Sequence, residues 1–146
     1  MNETEQTLEN LERRRANHDL YGTVYSLNNL GAVSFHMQAY AEAKQLYDEA
    51  LRLAQEIDYR SGISLCLLNL GALANAQGAY SEALRISQTA LSVTEEINDR
   101  RNVAWAFTNL GNAHLGLSNY ALAIHDLQQA VQLALSLHAA PGRWPP

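Results

Sequence analysis

A single cysteine, Cys66, gives the chain no partner for an intrachain disulfide and fits a reducing, cytoplasmic setting. Basic residues are also scarce. Ten Lys and Arg stand against 15 Asp and Glu, a formal charge of −5, so no excess is left to neutralise phosphates and no nucleic acid is expected as a partner. The one basic run, Arg13 to Arg15, follows Glu9 and Glu12, and Glu9 with Arg13 has the i,i+4 spacing of a solvated helical ion pair. No 18-residue apolar stretch occurs, so no membrane span is expected, and Met1 to Gln6 lack the basic start and apolar core of a signal peptide. Clustered reactive groups are missing too. The histidines, His18, His36, His114, His125 and His138, never take the spacing of a metal site, and no carboxylate pair recurs with them. With no metal site, no glycine-rich phosphate loop and no catalytic set, the expectation is a protein without cofactor or enzymatic activity.

What the chain does have is a repeat. Asn29, Leu30, Gly31, Tyr40, Ala43 and Ala50 recur 40 residues later as Asn69, Leu70, Gly71, Tyr80, Ala83 and Ala90. They recur again as Asn109, Leu110, Gly111, Tyr120, Ala123 and Ala130. A fixed period of this length marks stacked supersecondary units that cannot bury their apolar faces alone. With 47% apolar and 17% charged residues, the 146-residue chain suits one compact unit.

Within a unit the apolar period is helical. Ala43, Leu46, Tyr47, Ala50, Leu51, Ala54 and Ile57 form one stripe, and Thr23 to Met37 form a preceding helix with Leu27, Leu30, Gly31 and Ser34 inward. The link at Gln38 to Tyr40 permits only an antiparallel hairpin, with Gly78 and Ser118 at the same turn in later copies. Asp58, and Asn98 with Asp99, are expected to cap the helices that follow them. Small residues at Gly31, Ala43 and Ala50 let the two helices of a hairpin approach closely. The expected fold is an all-α, right-handed solenoid of three hairpins at 22–58, 62–98 and 102–138. A capping helix precedes them at 1–20, where Leu11 aligns with Leu51, and a tail follows at 139–146.

The Leu-Gly of the first helix, Tyr at the turn and Ala then Ala-Leu in the second (Leu70, Gly71, Tyr80, Ala83, Ala90 and Leu91) resemble the tetratricopeptide repeat. The 40-residue spacing exceeds the 34-residue standard. It is similar to the Leu-Gly-Asn, kinesin-light-chain and bacterial regulatory versions, and Leu110, Gly111 and Asn112 give the full tripeptide once.

The resemblance implies a scaffold that binds protein or peptide along a wall of first helices. The residues expected there are an apolar row of Tyr25, Leu65 and Trp105, an amide row of Asn29, Asn69 and Asn109, and Phe35, Asn75 and Asn112. An amide ladder suits the main chain of an extended peptide. It equally suits the backbone of the adjacent hairpin, just as Tyr25 and Trp105 serve either as anchors or as packing. The basic residues with which chaperone-binding members hold a carboxylate are missing from this wall; only Arg60, Arg100 and Arg101 stand at its rim.

The third unit differs from the others. Between Asn102 and Gly142 the only formal charge is Asp126, and Leu122 and Leu135 replace Glu42, Glu82, Gln55 and Glu95. A terminal repeat needs a polar outer face. The extra apolar surface therefore suggests a homodimer through Leu122 and Leu135, a following domain, or cover by the Ala139 to Pro146 tail with Trp144. His114, in the column of Ser34 and Ala74, reads as a satisfied, partly buried histidine.

Overall fold

The computed structural model describes residues 2–16 and 19–138, with backbone alone at 14–16. Among them are seven helices and no strand: α1 (Glu3–Ala16), α2 (Leu20–His36), α3 (Tyr40–Glu56), α4 (Arg60–Ala76), α5 (Tyr80–Glu96), α6 (Arg100–Gly116) and α7 (Tyr120–His138). First helices begin at 20, 60 and 100 and second helices at 40, 80 and 120, so the 40-residue period is kept without slippage. The tail, with Trp144, lies outside the described residues.

The turns from α2 to α7 use one device. Gln38, Asp58, Gly78, Asn98 and Ser118 all take positive φ, between 51° and 76°. At each, the next amide reaches back to close the helix end, as in Ala39 N to Ser34 O at 2.9 Å and Asn119 N to His114 O at 2.8 Å. This corrects the capping expectation for Asp58 and Asn98, which end the helix before them and do not start the one after. The capping position falls one residue later. There the Asp99 carboxylate accepts from Asn102 N at 3.2 Å, as Asp19 accepts from Gly22 N at 2.9 Å, while Tyr59 in the same column makes no side-chain cap. Arg13 donates to the Asn10 side chain and does not pair with Glu9.

The small-residue columns sit where helices cross. Ala43, Ala50, Ala83 and Ala90 are fully buried. A Cβ at Gly31 would stand 2.6 Å from the Tyr47 ring, and one at Gly71 would stand 2.8 Å from Ser87 Oγ and 3.1 Å from Asn109 Nδ2. The core runs from Leu11 of α1 through Val24, Leu27, Tyr47, Leu67, Leu68 and Leu73 to Ile86 and Ala106. The first helices touch one another, α2 with α4 and α4 with α6, whereas no such contact joins α3 to α5 or α5 to α7. That splay leaves the first helices as a continuous wall and the second helices as separated ribs.

Candidate functional site

The wall presents residues that point away from each hairpin's second helix, and burial divides them. On α2, Tyr25 is 52% exposed and Asn29 is exposed, while Phe35 is half-buried, its ring 5.6 Å from Tyr40. On α4, Leu65, Asn69 and Asn75 are half-buried. On α6, Trp105 is half-buried against the core, Asn112 is exposed and Asn109 is buried.

The amide row is therefore not uniform. Asn109 Nδ2 donates to Leu68 O of the preceding hairpin at 3.0 Å, and Asn75 Nδ2 donates to Asn109 O at 3.0 Å, which ties α4 to α6 in both directions. Asn69 Nδ2 donates to Asn28 Oδ1 at 3.1 Å, and Asn28 donates onward to Val24 O and to Cys66 Sγ. Sequence reasoning missed Asn28 as the α2–α4 link, because its column continues as Leu68 and Thr108 and carries no repeated amide. These bonds satisfy groups that burial would otherwise leave at a cost of about 1 to 3 kcal/mol each. Asn29 and Asn112 remain as the exposed amides.

Two crevices open on this wall. One, about 420 Å³, lies between α4 and α6 and is lined by Ala72, Asn75, Ala76, Tyr80, Asn112, Leu115 and Gly116. The other, about 440 Å³, lies between α1 and α2 at Glu3, Thr7, Asn29, Ala32, Val33 and His36. A third groove, about 470 Å³, lies between the ribs α3 and α5, with an apolar floor of Leu51, Leu67, Leu70, Leu73 and Ile86. Its mouth is ringed by the ion pairs Lys44–Asp48 and Arg85–Glu82, each at 2.6 Å. There the Arg85 guanidinium holds the exposed Glu82 carboxyl below its usual range, and those charges are satisfied locally.

At the rim, Arg60 pairs with Glu96, and Arg100 and Arg101 are exposed. Leu122 and Leu135 are both exposed, but 13 residues of helix set them on opposite flanks of α7, so one flat partner surface does not cover both. Ile124 and Val131 are also exposed on the Leu135 side. The sequence signal for the first was the column Lys44, Leu84 and Ile124.

Cys66, Tyr47 and His114 are withdrawn from solvent. Cys66 is fully buried, and that burial pushes its thiol up to about 11, against a smaller opposing effect of the Asn28 hydrogen bond. Burial likewise pushes the Tyr47 phenol up to about 12, with Cys66 adding to it. His114 Nε2 stands 3.7 Å from Asp126 Oδ2, longer than a hydrogen bond, and its buried Nδ1 has no partner. Among the described residues, no three His, Cys, Asp or Glu side chains are grouped to hold a metal, and no helix is long and apolar enough to cross a membrane.

No curated protein matches the sequence. The chain is similar in structure to BtubC (BKLC) from P. vanneervenii, with a TM-score of 0.79 over 98% of its own length. At 18% identity that likeness concerns the fold, and this chain spans 59% of the BtubC chain's length. The profile of the tetratricopeptide repeat matches residues 22–96 and, one unit on, 63–136. The chain therefore belongs to the tetratricopeptide repeat family.

Proposed function

We propose that the protein is a non-catalytic scaffold that binds an extended peptide along the wall of α2, α4 and α6. Its membership of a repeat family built for protein–protein interaction supports the coarser statement. For the finer one, the supporting observation is the division of the wall's polar groups. Asn28, Asn69, Asn75 and Asn109 bond within the stack, leaving Asn29 and Asn112 exposed beside Tyr25, Leu65 and Leu115, flanking the two crevices. Exposed amides beside apolar side chains suit a ligand read through its main chain and its apolar residues. With no Lys or Arg among these wall positions, charge plays a minor part, confined to Glu3 at the α1–α2 crevice and to Arg100 and Arg101 at the rim.

The test is selection from a random peptide display library, followed by calorimetry on the chosen peptides. Asn112→Ala with Leu65→Ala should weaken binding about tenfold or more while helicity stays intact, since each lost contact is worth about 0.5 to 1.5 kcal/mol. Peptides that bind the double variant as tightly as the parent, or that map by chemical-shift perturbation to the α3–α5 groove, would refute the wall.

A further inference from the structure

The repeat places a tyrosine at the start of every second helix, and what meets its ring differs between hairpins. In the first hairpin, the Phe35 ring of α2 stands 5.6 Å from the Tyr40 ring, and both residues are half-buried. In the second, the column of Phe35 holds Asn75, whose Nδ2 donates across to Asn109 O of α6 at 3.0 Å. Tyr80 is left without a ring partner. The ring contacts among the described residues are Tyr21 with Tyr59, and Phe35 with His36 and Tyr40.

Tyr80 is nonetheless held in place. A Cβ at Gly116 would stand 2.3 Å from its ring, so the ring packs on a stretch of α6 that only glycine leaves open. Beside it α4 contributes the small Ala72 and Ala76, and α6 contributes Leu115, which is 52% exposed. The crevice of about 420 Å³ between α4 and α6 therefore has a fixed aromatic ring in its lining. One hairpin earlier the chain supplies the second ring itself.

Charge and ring chemistry select what enters. No Asp, Glu, Lys or Arg lines the crevice, so an ionised side chain placed there would lose its water against no opposite charge. A ring set against Tyr80 gains a contact beyond the area it buries, which an aliphatic side chain does not. Asn112, exposed at the same crevice, keeps an amide for the peptide main chain next to that ring.

We propose that the α4–α6 crevice is the anchor pocket of the wall and that it takes one phenylalanine or tyrosine of the bound peptide, whose ring packs on Tyr80 as Phe35 packs on Tyr40. This rests on the wall reading above and adds to it the class of residue that the peptide must carry. The α2 end of the wall cannot serve in the same way, because Phe35 already holds the ring position beside Tyr40.

Peptides selected from a random display library and titrated against the full chain test this. Binders should share a phenylalanine or tyrosine at one position, and exchanging that residue for leucine should weaken binding about three- to tenfold. Exchange for aspartate should weaken it further. Ring-current shifts at the Tyr80 and Gly116 amides should accompany binding and disappear with the leucine peptide. Two protein variants remove the preference by different routes: Tyr80→Leu keeps apolar bulk without a ring, and Asn75→Phe fills the crevice from within. On either, the phenylalanine and leucine peptides should bind within about twofold of each other. Should one variant lose helicity the other decides, and the peptide exchange with its ring-current shifts needs neither. Peptides that shift the amides of α2, α4 and α6 yet share no aromatic position, or that keep their full preference for a ring on both folded variants, overturn the pocket and leave the wall standing. Peptides that map to the α3–α5 groove overturn the wall and the pocket with it.

Discussion

α5 and α7 occupy the same place in successive hairpins and share the buried alanines of their columns, yet α5 buries six residues and α7 only two, Ala123 and Ala130. The difference is not in the helices' own apolar content, since α7 has only one formal charge. It lies in what stands on the far side: α5 is held between α4 and α6, while among the described residues α7 packs on α6 alone. In a stacked repeat, burial belongs to the pair of neighbours, so the same residue type is covered in the middle of the array and exposed at its edge.

The most direct way to break that comparison is to truncate one side chain from each helix. Ile86 is 9% exposed on α5 and forms part of the α3–α5 groove floor, so Ile86→Ala should cost about 2 to 4 kcal/mol, the groove allowing some collapse. Leu135→Ala, on the exposed face of α7, should change monomer stability by no more than about 0.5 kcal/mol. Urea midpoints at low protein concentration measure both. Equal losses would mean that α7 is covered in the monomer.

A subtler comparison sets the middle of the first-helix wall against its edge. Asn109→Ala removes the donor to Leu68 O, which keeps its helical partner within α4, so the expected loss is that of one buried inter-helix hydrogen bond, about 0.5 to 1.5 kcal/mol. Asn29→Ala, in the same column but exposed on α2, should fall within about 0.5 kcal/mol. If both variants unfold at the parent's midpoint, the α4–α6 amide link contributes nothing to the stack.

The same contrast explains what was legible beforehand. Helices, turns and crossing points follow from columns that repeat, because Gly31, Ala43 and Ala50 meet equivalent neighbours in every hairpin. The division of the asparagines was not legible, because it depends on residues that do not repeat. Asn69 is held by Asn28, whose equivalents are Leu68 and Thr108, and Asn109 by a backbone carbonyl. Asp58 and Asn98 were misplaced by one residue for a related reason. Asp and Asn suit both a helix start and a left-handed helix end, and only the backbone distinguishes the two roles. On α7, the 13-residue spacing of Leu122 and Leu135 already separated their flanks. That Ile124 and Val131 join Leu135 required knowing which side α6 covers.

The smallest expected effect compares two equivalent turns. Gly78 between α4 and α5 has φ of 76° with nothing within 4 Å of where a Cβ would stand, whereas Ser118 between α6 and α7 holds φ of 62° with a side chain present. The left-handed region costs a non-glycine residue about 1 kcal/mol, partly offset by glycine's greater freedom in the unfolded chain. Ser118→Gly should therefore gain about 0.5 kcal/mol and Gly78→Ser should lose a similar amount, since neither substitution disturbs packing. Location should separate them further. A change at Ser118 acts on a helix held from one side, so its gain should appear as slower hydrogen exchange in α7 amides with α3 and α5 unmoved. A change at Gly78, inside the array, should shift protection across α4, α5 and α6 together. Uniform protection changes from both substitutions would mean that the array unfolds as one unit and that its edge is as firmly held as its middle.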